Sequence, residues 1–250
     1  MIDVHCHLTY PGLDEIKEQV IEDSRKKMDA IITCAFPDDW ERALELAKKH
    51  ENFVYLTLGL HPTDVVNMSD KDIENYTDII RDNRNRIVAI GEIGLDNHHF
   101  PENLHKKRLT DAFVKSLNLC EELGLPAVLH TRKAEEECFD IVNGEDVGTV
   151  VFHSYTGNLA LAEKIIDRGY YISVPTIVSV SKNIKKIAEK FPLENLLTET
   201  DAPFLSPYPE KMNVPSNVEH VLSVMSQLRN VEIDEIDKQI MKNAKKIFRI

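Results

Sequence analysis

The sequence predicts an α/β fold in the form of a (β/α)8 TIM barrel, a single domain over residues 1–250. Three observations carry that expectation. Eight short β-branched runs alternate with longer amphipathic or charged stretches, the whole alternation fits in 250 residues, and histidines and carboxylates recur where the runs end. Eight strands, each followed by a helix, in about 250 residues is what such a barrel requires. An open doubly wound sheet usually has fewer strands and a glycine-rich first turn, and no G-x-G-x-x-G follows the first run here.

The elements follow in order. The first strand is Ile2–His7. Side chains alternate along a strand, so Asp3, His5 and His7 share one face and Ile2, Val4 and Cys6 the other. A helix over Leu13–Met28 leads to the strand Ala30–Ala35, and Asp39–His50 to Phe53–Leu60. Asp70–Asn83 precedes the short strand Ile87–Ile90. The helix Asn103–Leu123 carries the helical period through Leu109, Phe113, Leu117 and Cys120 and stops at Gly124, with Pro126 beyond. Then come Ala127–His130, the helix Ala134–Val142, Thr149–His153, the helix Leu159–Arg168, Tyr170–Val174, the helix Ser181–Lys190 and the last strand, Leu196–Glu199. The Pro-rich stretch "APFLSPYPEKMNVPSN" reads as a long ordered loop on the active face, followed by helices Asn217–Leu228 and Ile233–Phe248.

Composition bounds the function. Apolar residues make up 42%, enough for a substantial core, and no apolar run reaches membrane-spanning length. No basic segment followed by an apolar stretch opens the chain, so no signal peptide is expected. The four cysteines (Cys6, Cys34, Cys120 and Cys138) lie far apart without a C-x-x-C, which points to reduced thiols in a cytoplasm. Only Cys6 lies beside candidate chemistry in the sequence. A net charge of −12 argues against a protein that coats nucleic acid through a general basic surface.

The chemistry is written at the strand ends. His5 and His7 end the first strand, His61 ("GLHP") the third, Glu92 ("GEIGLD") the fourth, His130 ("VLHTR") the fifth, His153 ("FHSYTG") the sixth and Asp201 ("TETDAP") the eighth. Barrels build their active sites at these C-terminal ends. Any one of these histidines alone reads as readily as a packing residue; six strand ends agreeing on one face do not. Imidazole with carboxylate suits Zn, Mn, Fe or Ni, and carboxylate-rich sites also admit Mg. Four histidines and two carboxylates exceed one tetrahedral zinc and suit two divalent ions with Glu92 as the bridge.

The set "DVHCHL", "GLHP", "GEIGLD", "LHTR", "HSYTG", "TETDAPFLSP" and "NAKKIF" resembles the TatD-type metal-dependent hydrolases, commonly described as deoxyribonucleases, over nearly the whole chain. The resemblance implies an amidohydrolase-like barrel, two divalent metal ions (Zn, Mg or Mn) and phosphodiester hydrolysis, often as a 3′→5′ exonuclease. Carried onto this sequence, it implies metal ligands His5, His7, Glu92, His130, His153 and Asp201. His5, His7 and Asp201 would serve one ion, His130 and His153 the other, with Glu92 shared. Departures lie at the rim. "NHHF", beginning at Asn97, replaces an aromatic residue often followed by a basic one, Met212 stands for a typical arginine and Val214 for a typical glutamate.

Roles follow from these assignments. Asp201 would orient the attacking water and accept its proton, and Glu92 would hold the centre together. His61, left without a metal slot, would hydrogen-bond the scissile phosphate or protonate the leaving group. Arg132 and Lys211 are the candidate substrate-binding cations. Lys106, Lys107 and Arg108 read singly as a solvated helix start, and Glu199 as a residue that could orient a ligand. The expected partner is a DNA end or a small phosphodiester, with no membrane and no protein partner legible, in a monomer or small homo-oligomer. A barrel amidohydrolase or lactonase acting on a small-molecule C–N or ester bond is the second enzymatic reading, and a non-enzymatic scaffold the third.

Overall fold

A computed structural model describes residues 1–101 and 105–250. Its strands are β1 (Ile2–Cys6), β2 (Ala30–Ala35), β3 (Val54–Leu58), β4 (Ala89–Gly94), β5 (Ala127–His130), β6 (Val150–Phe152), β7 (Tyr171–Val174) and β8 (Leu196–Thr198). They form one parallel sheet in the order β1 to β8. The seam between its edges is closed just past β8, where His7 N donates to Ala202 O at 2.7 Å and Asp201 N to His5 O at 2.9 Å. The expected (β/α)8 barrel is therefore the fold.

The helices are α1 (Lys17–Arg25), α2 (Trp40–Lys49), α3 (Pro62–Val65), α4 (Asp70–Asp82), α5 (Lys106–Leu123), α6 (Glu135–Gly144), α7 (Leu159–Asp167), α8 (Lys182–Lys190), α9 (Val218–Arg229) and α10 (Ile233–Phe248). Most expected boundaries fall within two residues of these. The start of the fifth expected helix, Asn103, lies outside the described residues. Two elements differ more. α1 begins four residues late, because a run of turns from Pro11 carries the chain past Gly12, whose φ of +88° suits glycine. β4 runs on to Gly94 instead of stopping at Ile90. Its Gly-Glu-Ile-Gly has weak strand propensity and is held by ladder pairing to β5, Gly94 opposite His130.

Parallel strands are covered on their outer face by helices, so they read as continuous apolar runs. Ile2, Val4, Ile32, Leu56, Leu58, Ile90, Val128, Phe152, Ile172 and Leu197 belong to the main core with the inner faces of α4, α5 and α7 to α10. A smaller cluster around Cys6, Leu8, Leu13, Ile21 and Ile31 seats α1. No helix among the described residues is long and apolar enough to cross a membrane.

Candidate metal centre

Glu92 is the middle of the site, and the fold delivers it by close backbone contact. A Cβ on Gly59, just past β3, would stand 2.4 Å from the Gly91 carbonyl carbon and 2.5 Å from the Glu92 backbone nitrogen. Only glycine lets the two strand ends approach this closely. Asp201 is set by the seam: its N–H is held by the His5 carbonyl and its φ is +56°, a left-handed conformation that aspartate tolerates better than most residues.

The six expected ligands converge. Glu92 Oε2 lies 3.5 Å from His5 Nε2 and 3.8 Å from His7 Nε2. Asp201 Oδ1 lies 3.8 and 3.3 Å from the same two nitrogens. The other carboxylate oxygen, Oε1, lies 2.6 Å from His130 Nδ1 and 3.0 Å from His153 Nε2. His61 Nε2 is 3.8 Å from that Oε1. Glu92 thus stands between two groups of donors, one per oxygen.

These residues fit a divalent cation. His5 Nε2 is buried and finds no hydrogen-bond partner, although carboxylate oxygens face it. Two tetrahedral ligand atoms each about 2.0–2.2 Å from a shared zinc stand about 3.3–3.6 Å apart, and the spacings around His5, His7, Glu92 and Asp201 fall at or just beyond that range. Buried carboxylates also demand positive charge.

Within the protein alone, protons supply part of it. Burial lowers the pKa of His130, but Glu92 and Asp96 more than offset that and lift it to about 9. His153 is raised in the same way by Glu199 and Glu92, and His7 by Asp201 and Glu92, each against burial. Burial and the charge of His153 keep His5 low. Burial would raise Glu92, yet the charges of His153, His61 and His130 hold it well below the carboxylate range. Asp201 is held down against burial by the His7 hydrogen bond and the neighbouring histidines. The pocket is built for cations.

His61 caps α3. Its Nδ1 accepts from Thr63 N at 3.2 Å, which assigns the proton of the neutral ring to Nε2, on the side facing Glu92. Burial lowers its pKa to about 3. A ring so reluctant to charge can donate a hydrogen bond from Nε2–H, but it is a poor source of a proton. Arg132 is exposed beside β5, close enough to depress His98 by charge, and Lys211 is exposed in the loop after β8. Neither side chain makes an ion pair among the described residues. Lys106, Lys107 and Arg108 pair with Glu137, Asp111 and Asp70, as a helix surface does.

The sequence reading missed three contributors, Asp96, Ser173 and Cys34. Asp96, fully buried, accepts from His130 Nε2 at 3.0 Å and from His99 Nδ1 at 2.7 Å; its place at the end of "GEIGLD" was the available signal. Ser173 donates to Glu199 Oε2 at 2.5 Å, and Glu199 faces His153 Nδ1 at 3.3 Å, so Glu199 does orient a cluster histidine. Asp3 shares the face of His5 and His7, yet it accepts from Thr200 N at 2.9 Å and closes the seam. Cys6 is not beside the chemistry, because strand alternation turns it outward into the α1 cluster. Cys34 is the thiol near Glu92; it donates to Gly91 O at 3.2 Å, and burial followed by the Glu92 charge keeps it protonated.

The chain is 39% identical to the metal-dependent hydrolase MJ1582 of Methanocaldococcus jannaschii over 249 residues, covering 99% of this chain and 96% of that one. It is 27% identical to human deoxyribonuclease TATDN3 over 258 residues, covering 99% and 94%. The crystal structure of YjjV, a TatD homologue from Escherichia coli K12, superposes with a TM-score of 0.91 at 29% identity, covering 100% of this chain and 98% of the other. A dihydroorotase from Campylobacter jejuni shares the fold with a TM-score of 0.64 at 15% identity, covering 100% and 83%. The family model described as "TatD related DNase" matches residues 2–249, and the chain belongs to this TatD family of metal-dependent hydrolases.

Proposed function

We propose that this protein is a phosphodiesterase that hydrolyses DNA from an end, as a 3′→5′ exonuclease, with residues 1–250 acting as one domain and two divalent ions held across Glu92. The observation that carries the reading is the division of donors around that carboxylate: His5, His7 and Asp201 on the Oε2 side, His130 and His153 on the Oε1 side. Human TATDN3 bears the name deoxyribonuclease, which supports the substrate class. The four buried free cysteines suit a reducing cytoplasm.

Divalent cations, when bound, polarise phosphoryl oxygens and make water more acidic. The chain does the rest. Asp201 orients the water that attacks phosphorus and accepts its proton; the bond from phosphorus to the 3′ oxygen breaks, and that oxygen takes a proton from solvent. His61 donates Nε2–H to a non-bridging phosphoryl oxygen. Glu199 and Asp96 hold the His153 and His130 rings in place. Arg132 and Lys211 offset charge on neighbouring phosphates.

The test is purified protein with single-stranded DNA, bis-p-nitrophenyl phosphate and a panel of lactones and amides, each with EDTA, Mg, Mn or Zn. Metal-dependent release of mononucleotides from one end supports the proposal. Turnover of lactones or amides with intact DNA would replace it with a barrel amidohydrolase.

A further inference from the structure

Seven large apolar side chains among the described residues are substantially exposed, and four of them belong to the segments that follow β1 and β8. Tyr10 (41% exposed) follows β1; Phe204 (41%), Tyr208 (47%) and Met212 (39%) lie in the Pro-rich loop after β8. The seam between β1 and β8 brings the two segments together beside the metal centre. The Tyr10 and Phe204 rings meet edge to face, their centroids 4.8 Å apart at 67°. Phe204 reaches the cluster itself, 6.0 Å from the His7 ring. On its other side His7 stacks on Phe36 at 5.4 Å, and Phe36 lies 5.4 Å from His61.

This apolar rim is rigidly mounted. Phe204 N donates to Asp201 O at 2.8 Å, and the fully buried Asn213 donates to Phe204 O at 2.7 Å and to Thr200 O at 2.8 Å. The backbone that carries Phe204 is therefore tied to the backbone that carries Asp201. Rings presented to solvent on a fixed frame, in contact with a ligand-type histidine, are preorganised for a planar apolar group joined to whatever the centre binds.

The opposite rim has the other character. β4 and β5 lie across the barrel from the seam, and there two exposed cations, Arg132 and Lys133, follow His130 just past the end of β5. A chain with net charge −12 that keeps aromatics at one side of its centre and cations at the other is matched to a ligand with a base at one end and phosphates beyond it.

We infer that Tyr10 and Phe204 form a stacking platform for the nucleobase of the terminal nucleotide, seating that base while its phosphate lies at the centre and the rest of the strand runs toward Arg132. The inference rests on the nuclease reading and adds to it a base-binding subsite. Stacking tolerates any base, because every base has a π-face.

The test is a substrate cycle. Short single strands with a normal 3′-terminal nucleotide are compared with the same strands bearing an abasic 3′ terminus, for wild type, Tyr10→Ala and Phe204→Leu, with Mn. One stacked base predicts a preference of about tenfold in kcat/KM for the base-bearing end in wild type. Each variant should shrink the preference below about threefold. A 2-aminopurine at the 3′ end should be quenched on binding to EDTA-treated wild type and less so on binding to either variant. Tyr10 is half-exposed, so its removal tests the platform even where Phe204→Leu disturbs the loop. An undiminished preference in both variants, or none in a wild type that cleaves DNA, overturns the platform alone. A wild type that cleaves no DNA with any metal overturns the nuclease reading and the platform together.

Discussion

Asp96→Asn is the most telling single change outside the cluster. The carboxylate accepts four hydrogen bonds: Oδ1 takes His98 N at 2.9 Å and His99 N at 2.8 Å, and Oδ2 takes His99 Nδ1 at 2.7 Å and His130 Nε2 at 3.0 Å. Two oxygens are needed because donors approach on both sides. An amide of the same shape has one oxygen and one NH2, so one side must turn donor against donor. The backbone N–H groups cannot change. The amide oxygen therefore stays with His98 and His99, and the NH2 faces His130. His130 then has to accept at Nε2 and keep its proton on Nδ1, the atom 2.6 Å from Glu92. A nitrogen carrying a proton is no ligand. Loss of such a supporting carboxylate costs about 10–100-fold in metal affinity, or about 1.4–2.7 kcal/mol. Cobalt or zinc titration of metal-free protein should show weakened binding on the His130 side only. Folded Asp96→Asn protein that binds both equivalents of metal as tightly as wild type would refute the reasoning.

EDTA should abolish hydrolysis, and His5→Ala should lower the rate more than about tenfold while the melting temperature holds, since the strand-end face contributes less to barrel stability. Metal uptake should release protons: His130, lifted to about 9, is protonated at pH 7, so calorimetry in buffers of differing ionisation enthalpy should register release at pH 7 that fades above about pH 9. The same raised pKa stabilises metal-free protein fully below the unfolded value of about 6.5, and that stability is lost as pH rises through about 9. Asp64 has the opposite sign: burial, then the charges of Asp38, Asp39 and Glu92, lift its carboxyl to about 6, so ionising it costs stability as pH climbs from about 4 through 6. Asp64→Asn should add about 1–2 kcal/mol at pH 7.5, after allowance for partial exposure, and almost nothing at pH 4 by thermal melting. Gly59→Ala forces a Cβ into the Glu92 backbone and should weaken metal binding more than about tenfold; unchanged affinity would show that β3 and β4 can separate without moving the carboxylate.

What the sequence made legible is what alternation and strand ends dictate. His5 and His7 share a face because a strand allows nothing else, and six strand ends of one barrel must meet at one mouth. The same rule turns Cys6 away from the cluster, although it stands between two cluster histidines in the sequence. Cys34 could not be placed, because which face of β2 turns inward depends on its register with β1 and β3. β4 was cut short at Ile90 because glycine and glutamate lack strand propensity, yet the ladder to β5 decides the matter.

The supporting carboxylates mark a deeper limit. Asp3, Asp96 and Glu199 are all buried acids near the histidines, and all look alike as letters. Their roles separate only in three dimensions. Asp3 meets Thr200 across the seam, Glu199 meets His153 and Ser173, and Asp96 meets His130 and His99. The last contact gives meaning to "NHHF", which as a string was only a departure from the family pattern. His99 shares Asp96 Oδ2 with His130, so this loop helps fix the carboxylate that fixes a cluster histidine. The altered rim and the intact cluster are thus coupled. A substitution in the loop can change the His130 side of the centre without touching a ligand, and the contrast between His99→Ala and His98→Ala is the place to see it. His98, whose ring makes no hydrogen bond among the described residues, should leave metal affinity alone, whereas His99 should weaken it by a few-fold, less than Asp96→Asn does because one donor is lost and the acceptor stays.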